Sequence, residues 1–433
     1  MYGVLSVLLG GEQIGHVTRS SEGALSFGYD EEYRTRADAT PLSVSMPLAL
    51  ADHPHRRIEG WMAGLLPESV EVLRRWRDEY GAPSLRPFDL LSTPVGRDCA
   101  GAVQFCDPYE VERLIERGGE VEPLTEAQIA QRLRDLRSDA GAWVDPRLGP
   151  QFSLAGGQPK TALYRDADGW GVPIGTTPTT HVLKPGMAHL PWTDVNEHLC
   201  LTAARHLGMP AAVTDLAVFE DQSAVVVERF DRVWEGGEPW RLHTEDLCQA
   251  LGRSPDEKYQ HEGGPSPAEI AALLRRHVPQ PEVAVDVGAF CDAVAYNWMI
   301  GAPDAHAKNY SLFLDQGLVR LTPLYDIMSA FPYFGAGGRP VMSAMAVGEI
   351  HRIDEVGPED WLEAASGLKV DPAAMLLRID ELASGLPGAF ASAAQDPPIG
   401  MAREFAERLL DRVDHHVGRC RRVIDQALET ANR

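Results

Sequence analysis

The spacing of apolar residues changes partway along this chain, and the change limits the folds open to it. From about residue 150 to residue 235, short runs of β-branched and aromatic residues recur between turns: "KTALYR", "THVLKP", "LAVFED" and "SAVVVERF". One helical segment, "DVNEHLCLTAARHLG", sits among them and closes on Gly208. Beyond about residue 240 the pattern turns mainly helical and ends in the amphipathic "AREFAERLLDRVDHHVGRCRRVIDQAL". A single hairpin interrupts it, "YSLFLDQGLVRLTPLYD", with Asp315, Gln316 and Gly317 as its turn. The segment up to about residue 105 alternates strand-like runs ("YGVLSVLL", "GGEQIGHV", "ALSFGY") with turns around one helical pattern, "GWMAGLLPESVEVLRRWRDEY". "GGEVEPLTEAQIAQRLRDLR" then reads as a loop followed by a helix, with Thr125 as N-cap and Gln128 in the capping-box position. The expectation is an α+β fold with a β-rich N-terminal lobe and a mainly helical C-terminal lobe carrying one hairpin.

At 433 residues the chain exceeds one compact core. Its expected divisions are 1–105, 106–235 and 236–433. A formal net charge of −23 argues against unaided grip on a phosphate backbone and suits a basic partner. The six cysteines (99, 106, 200, 248, 291, 420) form no CxxC pair and read as buried thiols in a reducing compartment. The apolar N-terminus lacks a basic leader and a small-residue cleavage site, so it reads as an edge or hairpin strand. No apolar run approaches 18 residues, so no membrane span and a cytoplasmic location are expected.

Two residue types are scarce. Lysine occurs only at 160, 184, 258, 308 and 369, and asparagine only at 196, 297, 309 and 432. A chain that uses Arg for generic positive charge keeps Lys where a compact ammonium on a flexible stem is wanted. Three of the lysines fall within one set of motifs. In "GAPDAHAKNYSLF", Asp304 and Asn309 have the D-x-x-x-x-N spacing of phosphotransferases. There the Asp orients or deprotonates an acceptor hydroxyl and the Asn holds a metal ion. That pair alone reads more readily as an Asx-capped turn. The hairpin then returns the chain to "LYDIMSA", which places Asp326 where a second metal ligand is needed. Carboxylates beside a triphosphate repel it by several kcal/mol at an effective dielectric of ~20, so a divalent cation must bridge them.

Lys184 ends the strand "THVLKP", where it suits ATP phosphates, and Glu197 in the next helix suits pairing with that lysine. "FSLAGGQPKTAL" is a glycine turn between strands, able to present backbone N–H groups to phosphates. It is neither Walker A, because Pro159 precedes Lys160, nor G-x-G-x-x-G. His306 reads as orienting the loop rather than as a metal ligand, since no second His matches it in a strand pattern. His53 and His55 read as a solvated loop, and His415 with His416 as the surface of the last helix. The "GAGGRP" segment reads as a loop able to help bind a protein substrate. No role is evident for Lys258.

"SLAGGQPKTALYR", "TTPTTHVLKP", "NEHLCL", "VVERFDR", "MIGAPDAHAKNYSLF" and "RLTPLYDIMSAFP", with "MPL" and "GLLPES" upstream, resemble the HipA family of serine/threonine kinase toxins along nearly the whole chain. The resemblance implies a two-lobed kinase-like fold, closer to phosphoinositide kinases than to ordinary protein kinases. It implies Asp304 as the catalytic acid/base and Asn309 with Asp326 as Mg²⁺ ligands. The implied ATP site takes Ala155, Gly156, Gly157, Gln158, Pro159 and Lys160 of the glycine turn, Lys184, and a hinge of Glu228, Arg229 and Phe230. It continues through His306, Ala307, Lys308, Asn309, Tyr325 and Asp326. Ser153 matches the serine that family members autophosphorylate. The implied partners are a helix-turn-helix antitoxin of the HipB kind and an aminoacyl-tRNA synthetase as substrate, with DNA reached only through the antitoxin. Two other readings compete. A small-molecule kinase of the aminoglycoside type would carry His two residues before the Asp, where this chain has Ala302. A pseudokinase co-repressor would lack transfer activity.

Overall fold

The computed structural model describes residues 3–116, 119–143, 152–334, 340–395 and 402–431. Residues 335–339 of the "GAGGRP" loop lie outside these, as does Asn432. The chain forms two compact units. Unit 1 comprises Met1–Pro185, Val218–Pro255 and Ser311–Val319; unit 2 comprises Gly186–Ala217, Asp256–Tyr310 and Arg320–Arg433.

Unit 1 opens with a five-stranded antiparallel sheet in the order Asp52–Pro54, Leu25–Tyr29, Glu12–Arg19, Gly3–Leu9, Val103–Cys106. In Leu25–Tyr29, Leu25, Phe27 and Tyr29 alternate inward, the period-2 signature of a half-buried strand. His53, expected in a solvated loop, is instead buried in strand Asp52–Pro54, stacked on Phe27 at 6.1 Å. Burial holds its imidazole below the usual range. The single helical pattern expected upstream of Tyr80 is two helices, His55–Ala63 and Val70–Tyr80. The break falls at "GLLPES", where Pro67 cannot extend a helix and the Ser69 hydroxyl caps the next by accepting from Val72 N–H.

A six-stranded sheet follows, in the order Thr214–Phe219, Gln222–Glu228, His181–Pro185, Thr161–Arg165, Trp170–Ile174, Glu120–Pro123. The stretch "GEVEP", expected as a loop, supplies its edge strand. Helix Glu126–Ser138 starts in the anticipated capping box of Thr125 and Gln128. Strands Ser311–Asp315 and Leu318–Leu321 form the predicted hairpin, with Gln316 and Gly317 both at positive φ as a two-residue turn demands.

A buried ionic cluster ties these parts of unit 1 together. Asp98 accepts hydrogen bonds from Thr179 N–H (3.1 Å) and hydroxyl (2.6 Å), and pairs with Arg229, Arg232 and Arg241. Asp231 pairs with Arg229 and Arg232 and accepts from Gly101 N–H at 2.7 Å. Burial alone would raise both carboxyls, yet the surrounding guanidiniums hold both below the usual range. Gly101 is required here: at φ +74°, an added Cβ would lie 2.7 Å from the backbone N and O of Thr244.

Unit 2 is built on the helix Glu282–Ile300, whose last eight residues, Ala293 to Ile300, are all buried. This 19-residue helix is apolar and long enough to cross a membrane by length and composition, contrary to the sequence expectation, but 72% of its apolar window is buried inside the protein. Helix Arg403–Ala431 packs on it and buries a stripe of Phe405, Leu409, Val413 and Val417. His416, expected on the surface, belongs to that stripe. Its ring lies 5.0 Å from Phe331 and 6.2 Å from Trp298, and burial pushes its pKa down to about 4. His415 is exposed.

Removing Asp98 would strand buried guanidiniums, and breaking a buried pair in this way typically costs about 3–5 kcal/mol. Asp98→Ala should lower the unfolding free energy, measured by urea denaturation, by that amount. Glu245 gives a pH signature. It is fully buried, accepts from Val44 N–H (2.8 Å) and Trp61 Nε1–H (3.1 Å), and burial pushes its pKa up to about 8. The unfolded carboxyl titrates near ~4.3, so the folded state retains a proton that the unfolded state has lost. Its contribution to stability is complete below that pH and is lost as pH rises through about 8. Melting temperatures between pH 6 and pH 9 should therefore shift in favour of Glu245→Gln, whose amide does not titrate.

Candidate active site

The loop carrying Asp304 begins where helix Glu282–Ile300 is stopped. Gly301 takes φ +65°, and a Cβ there would lie 2.5 Å from the Phe331 ring, so the turn admits only glycine. The loop is then knitted through its backbone: Ala302 N–H donates to Asn297 O, His306 N–H to Asp304 O, and Asn309 N–H to His306 O. The Asn309 side chain closes it, its Nδ2 donating to Asp304 O at 2.7 Å. The result leaves the Asp304 side chain 61% exposed while His306, Lys308 and Asn309 are buried.

Asp326 arrives from the other side on a segment held by Asn196. This fully buried amide donates from Nδ2 to Ser329 O (2.8 Å) and accepts at Oδ1 from Ser329 N–H (3.0 Å). Ser329 Oγ donates in turn to Ile300 O at 2.6 Å, and Tyr325 Oη to Lys308 O at 2.7 Å. Asp326 has φ +55°, a conformation that non-glycine residues adopt seldom and that clusters at functional positions. Asp304, Asn309 and Asp326 line one cavity of about 160 Å³ in unit 2, otherwise largely apolar through Leu190, Pro303, Ile327, Met328 and Phe334.

The donor set suits a hard divalent cation. Asn309 turns its Oδ1 away from the Asp304 carbonyl because Nδ2 is engaged there, and Asp326 adds carboxylate oxygens. Among the described residues no cluster of three or more His, Cys, Asp or Glu forms a metal cage. Mg²⁺ fits such a sparse set, since it is characteristically held by one or two protein oxygens together with phosphate and water.

Glu197 is fully buried in the second turn of helix Thr193–His206 of unit 2. Lys184 belongs to unit 1, nearly buried in strand His181–Pro185 opposite Val225. The glycine turn is also in unit 1. Ser153 is fully buried there, its N–H donating to Asp98 O and its Oγ to Leu65 O, each at 2.8 Å. Gly156 bridges to Pro67, and Gly157 is exposed. Lys160 donates to Ala155 O at 2.7 Å and lies 4.5 Å from the centre of the Trp143 ring. Both polar atoms of the Gln158 side chain are buried without a hydrogen-bond partner among the described residues. In the expected hinge, Glu228 is exposed and Phe230 stands edge-on to Phe313 at 5.8 Å. Arg229 donates its backbone N–H to Thr180 O, accepts from Arg232 N–H, and buries its guanidinium in the Asp98 cluster, so its side chain turns inward.

Sequence reasoning missed Tyr259. Its hydroxyl donates to Asp304 Oδ1 at 2.6 Å and its ring meets His306 edge-on at 5.0 Å. The available signal was its neighbour Lys258, one of the scarce lysines. Lys258 contributes its carbonyl, which accepts from Ala307 N–H, and an ammonium 5.1 Å from the Tyr259 ring centre.

Family descriptions match this chain twice, as a HipA N-terminal domain over residues 5–106 and as a HipA-like C-terminal domain over residues 152–390. The chain belongs to the HipA family. A putative kinase of Sinorhizobium fredii, Y4mE, is 32% identical over 398 residues, covering 91% of this chain and 92% of that protein. The serine/threonine-protein kinase toxin HipA of Shewanella oneidensis is 30% identical over 309 residues, covering 68% and 67%. HipA of Shewanella oneidensis MR-1, solved in a complex with HipB and its operator DNA, superposes with a TM-score of 0.85 at 24% identity, covering 98% of this chain and 99% of that one. The fold is therefore the α+β, kinase-like fold of the HipA type.

Asn196 is the internal support of the Asp326 segment. Asn196→Ala would leave the buried N–H and C=O of Ser329 without it, each loss costing about 1–3 kcal/mol. The unfolding free energy should fall by at least about 2 kcal/mol, and calorimetry should show the matching drop in melting temperature.

Proposed function

We propose that the protein is an ATP- and Mg²⁺-dependent serine/threonine-protein kinase acting as the toxin of a type II toxin–antitoxin pair. The observation that carries this reading is the convergence of Asp304, Asn309 and Asp326 on one cavity of unit 2. The names of its family relatives, a kinase toxin and a putative kinase, support it. In the proposed reaction Asp304 orients the acceptor hydroxyl and takes its proton as the oxygen bonds to the γ-phosphorus. The bond from that phosphorus to the bridging oxygen breaks, and ADP leaves. A Mg²⁺ held by Asn309 and Asp326 would offset the charge of the phosphate oxygens. Lys184 and Lys160 would neutralise phosphates, and the backbone of Gly156, Gly157 and Gln158 would donate to them. Glu228 and Phe230 would receive adenine.

The partner on this reading is a basic helix-turn-helix antitoxin, through which the acidic chain would reach DNA. The HipA of known structure was solved with HipB and DNA, which supports that assignment. The substrate on this reading is a protein, with an aminoacyl-tRNA synthetase as the family expectation. Ser153 would be the autophosphorylation site. Its hydroxyl is buried on Leu65 O, so transfer requires the segment to leave that position.

The test is ATP-dependent phosphate incorporation, followed by intact mass and peptide mapping. The wild type should gain phosphate at Ser153. Asp304→Ala should react about 10²–10⁴-fold more slowly, the usual contribution of general acid–base catalysis. Removal of Mg²⁺ with EDTA should abolish incorporation, and restoring it should return the activity. Wild-type protein that binds ATP and incorporates nothing would favour a pseudokinase scaffold instead.

A further inference from the structure

The Asp304 carboxylate is exposed, and an aspartate side chain has a broad, nearly two-fold torsional profile about its last bond. Exposure is needed for an acceptor to reach it, but exposure alone does not aim it. Tyr259 supplies one constraint. At 2.6 Å its O–H to Oδ1 contact has the length of a charge-assisted O–H···O⁻ bond. His306 Nε2 approaches the same oxygen at 3.9 Å.

Tyr259 is itself well anchored. Its ring packs edge-on against His306, and its carbonyl accepts from Glu262 N–H (3.0 Å) and Gly264 N–H (2.8 Å). Gly264 permits that close turn, since a Cβ there would lie 2.6 Å from Tyr259 O and 2.7 Å from Glu257 O. The preceding residue is bonded into the Asp304 loop through Ala307 N–H and Lys258 O at 3.2 Å. A turn remote in sequence is thus fastened to the loop at its backbone, its ring and its hydroxyl.

We propose that Tyr259 is a positioning residue for phosphoryl transfer: its hydroxyl fixes the plane of the Asp304 carboxylate for the incoming serine or threonine hydroxyl. The proposal rests on the kinase reading above. Misplacing a reacting group by about 1 Å lowers rates by up to about 100-fold, so the orientation of one carboxylate is a large effect.

The experiment measures the rate of phosphate incorporation into the full-length protein against ATP concentration, for wild type, Tyr259→Phe, Asp304→Ala and the double variant. Phenylalanine keeps the ring on His306, and an unchanged melting temperature checks that it does. Tyr259→Phe should lower the limiting rate about 10- to 100-fold while the ATP concentration for half-saturation stays the same. Added to Asp304→Ala, it should have no further effect, because its partner is gone. Three results would overturn the proposal: a Tyr259→Phe rate equal to wild type, a faster rate (showing that the hydroxyl competes with the acceptor), or the same fall in the Asp304→Ala background. A wild type that incorporates no phosphate would overturn the kinase reading itself, a result distinct from these three.

Discussion

The carboxylate of Asp98 is the constraint on which unit 1 depends. Its side chain gathers Thr179, Arg229, Arg232 and Arg241, and its own carbonyl accepts the Ser153 N–H. The end of the first subdomain, the entry to the Lys184 strand, the hinge and the start of the glycine turn therefore share one anchor. Burying so many charges carries a desolvation penalty that hydrophobic residues would avoid. What the ionic cluster supplies instead is register. A guanidinium fork satisfied by carboxylates and by the carbonyls of Cys99 and Gly101 fits only one placement of the hinge against residues 98–101.

Unit 2 solves a different problem, which is to hold an exposed acid on an irregular segment without leaving buried backbone groups unpaired. Asparagine suits it because one planar amide both donates and accepts. Asn196 does both toward Ser329, and Asn309 donates to Asp304 O. Asn297 donates from its side chain to Tyr310 Oη, and its backbone carbonyl accepts Ala302 N–H. All three described asparagines thus brace the loop or the segment after it. An arginine, with donors alone, could not replace Asn196, which must also accept from Ser329 N–H.

Much of this was legible in the sequence because it was local. The capping box at Thr125 and the hairpin turn at Gln316 and Gly317 are fixed by residues within one turn of each other. The convergence of Asp304, Asn309 and Asp326 could be anticipated because a single hairpin separates them. What was missed needs contacts across long sequence distances. His53 and His416 look polar in a string, yet each fills an aromatic site made by remote strands or helices. Tyr259 lies 45 residues from Asp304, with no periodicity to signal it. The Arg229 guanidinium, 131 residues from Asp98, gave no sign that it turns inward.

The environment of Ser153 bears on how the proposed kinase would be switched. A hydroxyl suits that position, because it has a hydrogen to give to Leu65 O and needs little room. A phosphoserine has no such hydrogen. It would bring close to two negative charges and three acceptor oxygens to a buried carbonyl, one backbone bond from Asp98. The arginines nearby are already engaged by Asp98 and Asp231. The position thus admits the hydroxyl and refuses the ester, and its preference reverses with one covalent change. On the proposed reading, a Ser153 segment that had left to accept phosphate could not return. The glycine turn, which begins at Gly156, would lose the anchor that sets it.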